Sequence, residues 1–381
     1  MSTPPYSEGE PVKEDGYRGL LTIDLDALAE NYRHLKRIAS PATCSAVVKA
    51  NAYGLGVEQV AARLQKEGCD TFFVATLAEA VRLRNTAKDA AIGVFEGVGL
   101  DTEEIFARVN AIPVLNSLDQ IKRWAAFARS HPDRFPGGAP AMVHIDTGMT
   151  RLGLSAGDVA TIAQQPDMLN GVRLDYVMTH LACADEPSRG LNREQLELFA
   201  SLRSHFPAAR TSIGNSAGTL LGPEFRGDLV RPGIALYGAN PFTGLPNPMK
   251  EVVRLQGRII QVRDIDRPLP VGYGATHTAR PPCRLATVAV GYADGYPRSL
   301  GNRGFACIGE KRIPIVGKVS MDLIIFDVSD LPAHRVQPGG LVDLIGGGVP
   351  VDEIAEVAGT IAYELLANLG GRYRRIYQTS A

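Results

Sequence analysis

Long apolar runs are missing from this chain. No stretch approaches the length of a membrane span, so a helical membrane protein is excluded as a reading. An excess of charge of one sign is missing too: 40 Lys and Arg stand against 41 Asp and Glu, a net charge of −1. Nothing in that balance draws the chain to nucleic acid or to a lipid surface. Cysteine is sparse, and Cys44, Cys69, Cys183, Cys283 and Cys307 are scattered, odd in number and without a CxxC pair. Neither a disulfide framework nor a metal site is expected, and reduced thiols fit a cytoplasmic protein. The opening MSTPPYSEGEPVKEDGY has no apolar core and reads as a mobile tail over residues 1–16, not as a signal peptide.

What is present points to two domains, since 381 residues exceed one average domain. Up to about residue 245 a short apolar run alternates with an amphipathic stretch. The runs are CSAVV (44–48), FFVA (72–75), AIGVF (91–95), IPVL (112–115), AMVHI (141–145), LDYVMTH (174–180), RTSIG (210–214) and GDLVR (227–231). Stretches such as VEQVAARLQKEG place Val57, Val60, Ala61 and Leu64 at helical spacing. Eight strand-like runs alternating with helices suggest a (β/α)8 barrel over 17–245, with an open doubly wound sheet as the alternative. From 246 to 381 the texture becomes strand after strand, as in VVRLQGRIIQVRDI and LIIFDVSD, with a closing helix expected over 351–369. The early run over 17–25 reads as a strand that could pair into this β-rich domain, followed by a helix that Asp26 could cap.

Barrel active sites lie at the C-terminal ends of the strands. Lys49 stands just past the first run, where desolvation can turn an amine into a Schiff-base nucleophile; a snorkelling surface lysine is the plain alternative. The seventh and eighth strand ends read GNSAG (214–218) and RPGIALYG (231–238). They offer small side chains and the N–H groups of Gly233 and Ile234 after Pro232, a possible phosphate cradle. Lysine and cradle together suggest a phosphorylated carbonyl partner, either a sugar phosphate or pyridoxal 5'-phosphate (PLP).

Eight stretches, AVVKANAYGLG (46–56), DTGMTRLG (146–153), THLACADE (179–186), GNSAG, LVRPGIALYG (229–238), VGYGATH (271–277), VGYADGYPR (290–298) and GKVSMD (317–322), follow one another in the order and spacing of the alanine racemase family. The likeness covers the chain from about residue 18 onward. It implies a PLP-binding barrel, a β-stranded C-terminal domain and a homodimer with shared active sites. The activity implied is interconversion of L- and D-alanine, with D-alanine going to peptidoglycan; the alternatives are a broader amino-acid racemase, then a PLP-dependent decarboxylase or a non-enzymatic PLP carrier. Lys49 resembles the lysine that carries PLP and acts as one acid/base. Tyr273 resembles the opposing base, reaching in from the second subunit. Arg231 resembles the arginine facing the pyridine nitrogen, and His180 the residue packed on the ring. Tyr53, Asn215, Ser216, Gly233 and Ile234 resemble phosphate and ring contacts. Arg151 and Met321 resemble the groups that meet the substrate carboxylate. Tyr292 and Arg298 resemble residues of the substrate access corridor.

Four positions depart from the family pattern. His144 stands where many members carry a lysine that can be carbamylated, so the support of Arg151 is an open question. Gly371 replaces a common tyrosine, with Tyr373 two residues on. Lys318 and Ser320 replace a frequent arginine and cysteine.

Overall fold

The computed structural model describes residues 16–379; all but the last residue of the expected tail lies outside them. The chain forms two compact units. One comprises residues up to Ile23 with Val253–Ile376, and the other Asp24–Val252 with the residues from Tyr377. These bounds differ from the expected 17–245 and 246–381 for two physical reasons. β1 (Gly19–Asp24) pairs antiparallel with the first half of β11 (Val253–Ile265). At the other end, the Tyr377 hydroxyl donates to Leu55 O at 2.9 Å.

The barrel unit opens on α1 (Leu25–Ala39). Its cap is Asp24, whose carboxylate accepts from the N–H groups of Asp26 and Ala27, so the expected cap at Asp26 is two residues late. The strand and helix order is then β2 (Thr43–Cys44), β3 (Ala46–Val47), the short helical turn α2 (Lys49–Tyr53), α3 (Val57–Lys66), β4 (Thr71–Val74), α4 (Leu77–Arg84), β5 (Ala91–Val94), α5 (Glu103–Arg108), β6 (Ala111–Leu115), α6 (Leu118–Ser130), β7 (Ala139–His144), α7 (Ala156–Gln164), β8 (Val172–Met178), α8 (Leu191–Arg203), β9 (Arg210–Ser212), α9 (Ser216–Leu221) and β10 (Leu229–Val230). The sheet runs β2-β10-β9-β8-β7-β6-β5-β4-β3, and its pairs are parallel. β2 and β3 sit at opposite ends of that order, yet only Ser45 separates them in the chain. They are two halves of one strand, paired with β10 on one side and β4 on the other, so the sheet closes as an eight-stranded barrel.

Strands covered on both faces need no polar alternation. β4 accordingly reads TFFV, with Phe72, Phe73 and Val74 all at 0% exposure. Each such side chain contributes roughly 1.5–3 kcal/mol of transfer free energy. Two helices start on reciprocal caps, Thr76 with Glu79 and Ser155 with Asp158.

In the β unit, the long β11 is the spine. It continues into β12 (Leu269–Val271), β13 (His277–Ala279), β14 (Cys283–Val288), β15 (Phe305–Ile308), β16 (Lys311–Pro314), β17 (Ile324–Asp327), β18 (Leu341–Ile345), α10 (Val351–Ala358), α11 (Ala362–Ala367) and β19 (Arg374–Gln378). The first half of β11 pairs with β1 and β18, and its second half with β14, which pairs in turn with β17. The single closing helix expected over 351–369 is two helices. Gly359, at φ 77°, ends α10 in the left-handed conformation that glycine adopts without strain.

Candidate active site

The C-terminal ends of the barrel strands gather nine of the expected residues: Lys49, Tyr53, Arg151, His180, Asn215, Ser216, Arg231, Gly233 and Ile234. Lys49 follows the end of β3 and is half-buried, with Nζ 6.0 Å from the centre of the Phe95 ring. The chain then does something unusual. Ala50, Asn51, Ala52 and Tyr53 all have positive φ, from 52° to 56°, a left-handed turn built without glycine. Each such residue costs roughly 1–2 kcal/mol against the right-handed form. Several groups hold the turn. Glu79 on α4 accepts from the Ala50 N–H at 2.6 Å, and the Asn51 side chain accepts from the Val57 N–H at 3.1 Å. The Tyr53 ring packs on that of Tyr237 at 4.7 Å, and the Tyr237 hydroxyl donates to Val47 O at 2.9 Å.

Across the mouth, Asn215 caps α9 by accepting from the Gly218 N–H at 2.9 Å. The Gly233 N–H is not free as expected: it donates to the Ser216 hydroxyl at 2.9 Å, as does that of Ala235 at 3.3 Å. A Cβ at Gly233 would fall 2.3 Å from the Tyr53 hydroxyl, so only glycine lets that phenol approach. Arg231 is 2% exposed. Its Nη atoms donate to the carbonyls of Thr179 at 2.6 Å and Ile213 at 3.2 Å, and to the Ser212 hydroxyl. No carboxylate is among those acceptors. Its Nε is one of the few buried side-chain atoms with no hydrogen-bond partner among the described residues.

Arg151 is exposed and follows a turn wound around the Asp146 carboxylate, which accepts from the N–H groups of Gly148, Met149 and Thr150 at 3.0–3.1 Å. Burial alone would raise that carboxyl, but these bonds hold it below its ordinary range. His144, at the end of β7, has Nδ1 2.9 Å from the Asn116 side-chain oxygen. The Asn116 amide donates to Phe95 O and Val114 O, which fixes its oxygen toward the ring. His144 therefore carries its proton on Nδ1 and leaves Nε2 as an acceptor.

The electrostatics of the mouth have one sense. Burial, then the charge of Arg151, lowers the Lys49 amine, and Glu79 pulls partly the other way. Burial pushes His180 well below its usual value, with Arg231, Arg151, His144 and Lys49 adding to the effect. Burial and Arg231 bring His144 down to about 4. Burial lowers Arg231 to about 9, still cationic at neutral pH. A site that disfavours further positive charge favours an anion.

Tyr273 and Met321 belong to the β unit. Tyr273 opens a turn between β12 and β13 and is 72% exposed; Met321 is 52% exposed. The Met321 carbonyl accepts from the Ala293 N–H at 2.9 Å, which ties its loop to the one carrying Tyr292. Asp322 pairs with Arg372 at 2.8 Å. Tyr373 is buried at 3% exposure, its hydroxyl without a hydrogen bond among the described residues, so it does not present that group to the surface beside Gly371.

A model of the alanine racemase N-terminal domain matches residues 23–241, and one of the C-terminal domain matches residues 252–377. The chain belongs to the alanine racemase family. It is 49% identical over 367 residues to the alanine racemase of Rhodospirillum rubrum, covering 96% of this chain and 97% of that one. It is 48% identical to the catabolic alanine racemase of Agrobacterium fabrum, covering 95% and 92%. Among solved structures, the alanine racemase of Bartonella henselae, with covalently bound pyridoxal phosphate, superposes with a TM-score of 0.90. That pair shares 40% identity, covering 95% of this chain and 99% of that one.

Within this family frame, sequence reasoning missed three polar residues at the mouth: Glu79, Asn116 and Gln195. Glu79 had a readable signal in the Thr76-x-x-Glu79 capping spacing. Gln195 had none. It sits in a polar-looking helix, yet it is fully buried and donates to the Thr147 hydroxyl at 3.1 Å and to His180 O at 3.0 Å.

Proposed function

We propose that the chain interconverts L- and D-alanine with PLP, using Lys49 and Tyr273 as acid/base groups on opposite faces of the substrate Cα. Arg231 carries the reading: a buried guanidinium with neutral acceptors on Nη and an unpartnered Nε–H needs an outside acceptor, and a pyridine nitrogen is one. The other groups fit the same cofactor. Lys49 is a half-buried amine lowered toward reactivity, and Tyr53, Asn215, Ser216 and Ile234 would cradle a phosphate, with Gly233 contributing the space its missing side chain leaves for the Tyr53 hydroxyl rather than its N–H.

PLP, when bound, supplies a conjugated ring that takes up the electron pair left on Cα as its proton departs. Lys49 would hold the cofactor, and once the substrate amine has taken its place there, the freed Nζ would give or take the Cα proton on one face. Tyr273 Oη does the same on the other, which a racemase requires. Arg231 would offer its unpartnered Nε–H to the ring nitrogen while keeping its own proton, which would leave that nitrogen unprotonated and favour quick return of the proton to Cα. His180, held neutral, would pack on the ring. The Arg151 fork and the Met321 N–H bind the substrate carboxylate. Tyr273 and Met321 act in the site of a second copy of the chain. Their exposures of 72% and 52% support a homodimer, since a base and a carboxylate anchor work best away from bulk water.

The product D-alanine supplies peptidoglycan synthesis in the cytoplasm. A catabolic role is the second reading, favoured by the 48% identity to the Agrobacterium fabrum enzyme. Purified protein with PLP and single L-amino acids in D2O tests the activity: D-alanine should appear with deuterium at Cα. Its absence, or release of CO2, refutes the reading, and equal rates on serine and alanine replace it with a broad racemase. Deleting the gene separates the two roles: a growth requirement for D-alanine marks the biosynthetic one.

A further inference from the structure

The left-handed turn after Lys49 raises a question that the proposed chemistry does not answer: what keeps four strained residues, and the lysine before them, in place? α2 packs against β4, α3 and α4. From α4, Glu79 uses both carboxylate oxygens. Oε1 accepts from the Ala50 N–H at 2.6 Å, the first peptide of the strained turn. Oε2 accepts from the N–H groups of Ala75 at 2.8 Å and Thr76 at 3.3 Å. The Glu79 N–H donates back to the Thr76 hydroxyl at 3.3 Å. One side chain thus ties the peptide after Lys49 to the end of the next strand and to the cap of the next helix. An ionised acceptor makes such bonds about twice as strong as a neutral one.

We infer that Glu79 is a positioning residue for Lys49: its carboxylate pins the strained turn that aims the amine and sets part of the charge the amine feels. The charges facing this corner support the second half. Arg151 and His180 lie on the Lys49 side, while Glu58 of α3 and Arg82 of α4 pair with each other at the surface. Burial and Arg151 lower the Lys49 amine, and Glu79 opposes them. A carboxylate here keeps the amine from becoming too acidic to return a proton, while burial keeps it reactive.

The inference rests on Lys49 as the PLP attachment point, and the test separates the two. The full-length protein with PLP is reduced with borohydride across a pH series, and PLP fixed on the Lys49 peptide is measured by mass spectrometry. PLP release is followed by dialysis. If wild type traps no PLP on Lys49, the attachment reading fails. With wild type trapped, Glu79→Gln should shift the midpoint of attachment about one unit to lower pH, because the carboxylate that raises the amine is gone. Its PLP release should be about tenfold faster, the scale of one lost charge-assisted hydrogen bond. Glu79→Asp, which keeps the charge on a shorter stem, should leave the midpoint near wild type while still releasing PLP faster. An unmoved midpoint in Glu79→Gln overturns the inference even if thermal stability falls. If Glu79→Gln does not fold, a Glu79→Asp protein with wild-type release and kcat overturns it instead.

Discussion

Lys49 and Tyr273 are assigned the same task from opposite surroundings. Lys49 sits half-buried at a barrel strand end, its amine lowered by burial and Arg151, and its backbone pinned by Glu79. Tyr273 stands on a turn of the β unit with 72% of its surface open to solvent. On the proposed reading, the barrel tunes its acid/base group inside one chain. The β unit leaves Tyr273 exposed, and on the same reading a second copy would give it surroundings. Damage to the barrel side should therefore show in the isolated chain, as lost cofactor and lost stability, whereas damage to the Tyr273 side should show only in turnover.

Lys49→Ala breaks the comparison most completely. PLP should no longer survive dialysis, and racemisation followed by polarimetry should fall by about 10⁴-fold or more, since attachment and one proton transfer go together. Arg231→Met comes next. It leaves the carbonyls of Thr179 and Ile213 and the Ser212 hydroxyl without their buried donor, so denaturant unfolding should show a loss of about 3 kcal/mol.

His144 is neutral in the fold down to about 4, while the unfolded chain takes up a proton below about 6.5. Its contribution is complete above about 6.5 and is lost as pH falls toward 4, by at most about 3 kcal/mol. His180, also held low by burial, acts in the same sense. His144→Asn should flatten the slope of unfolding free energy between pH 6.5 and 4 without abolishing it.

The smallest effect belongs to the exposed side. Asp322→Asn removes a surface pair with Arg372, so the melting temperature should reflect a loss of about 0–1 kcal/mol. A larger loss would mean that the β unit stabilises its loops as the barrel does.

Much of the barrel was legible because its signal is periodic. Eight apolar runs between amphipathic stretches correspond to the eight strands once β2 and β3 are taken as one. The cap at Asp24 was misplaced by two residues because Asp24 and Asp26 are chemically alike, and only the end of β1 chooses between them. The strained turn was not legible at all. Ala50, Asn51, Ala52 and Tyr53 include no glycine to announce positive φ, and the groups that impose it, Glu79 and Tyr237, come from distant parts of the chain. Motifs pointed to nine residues that the barrel brings together at its strand ends. Their support could not be read that way, because Asn116 and Gln195 act through carbonyls and hydroxyls that only the closed sheet brings near.

The division of labour between Lys49 and Tyr273 is tested most directly by Tyr273→Phe in D2O with each enantiomer of alanine supplied separately. If the two groups serve opposite faces, the variant should keep its PLP and its melting temperature, lose racemisation by about 10²–10⁴-fold, and still exchange the Cα proton of one enantiomer but not of the other. Equal exchange from both enantiomers, or racemisation at the wild-type rate, would contradict the two-base account.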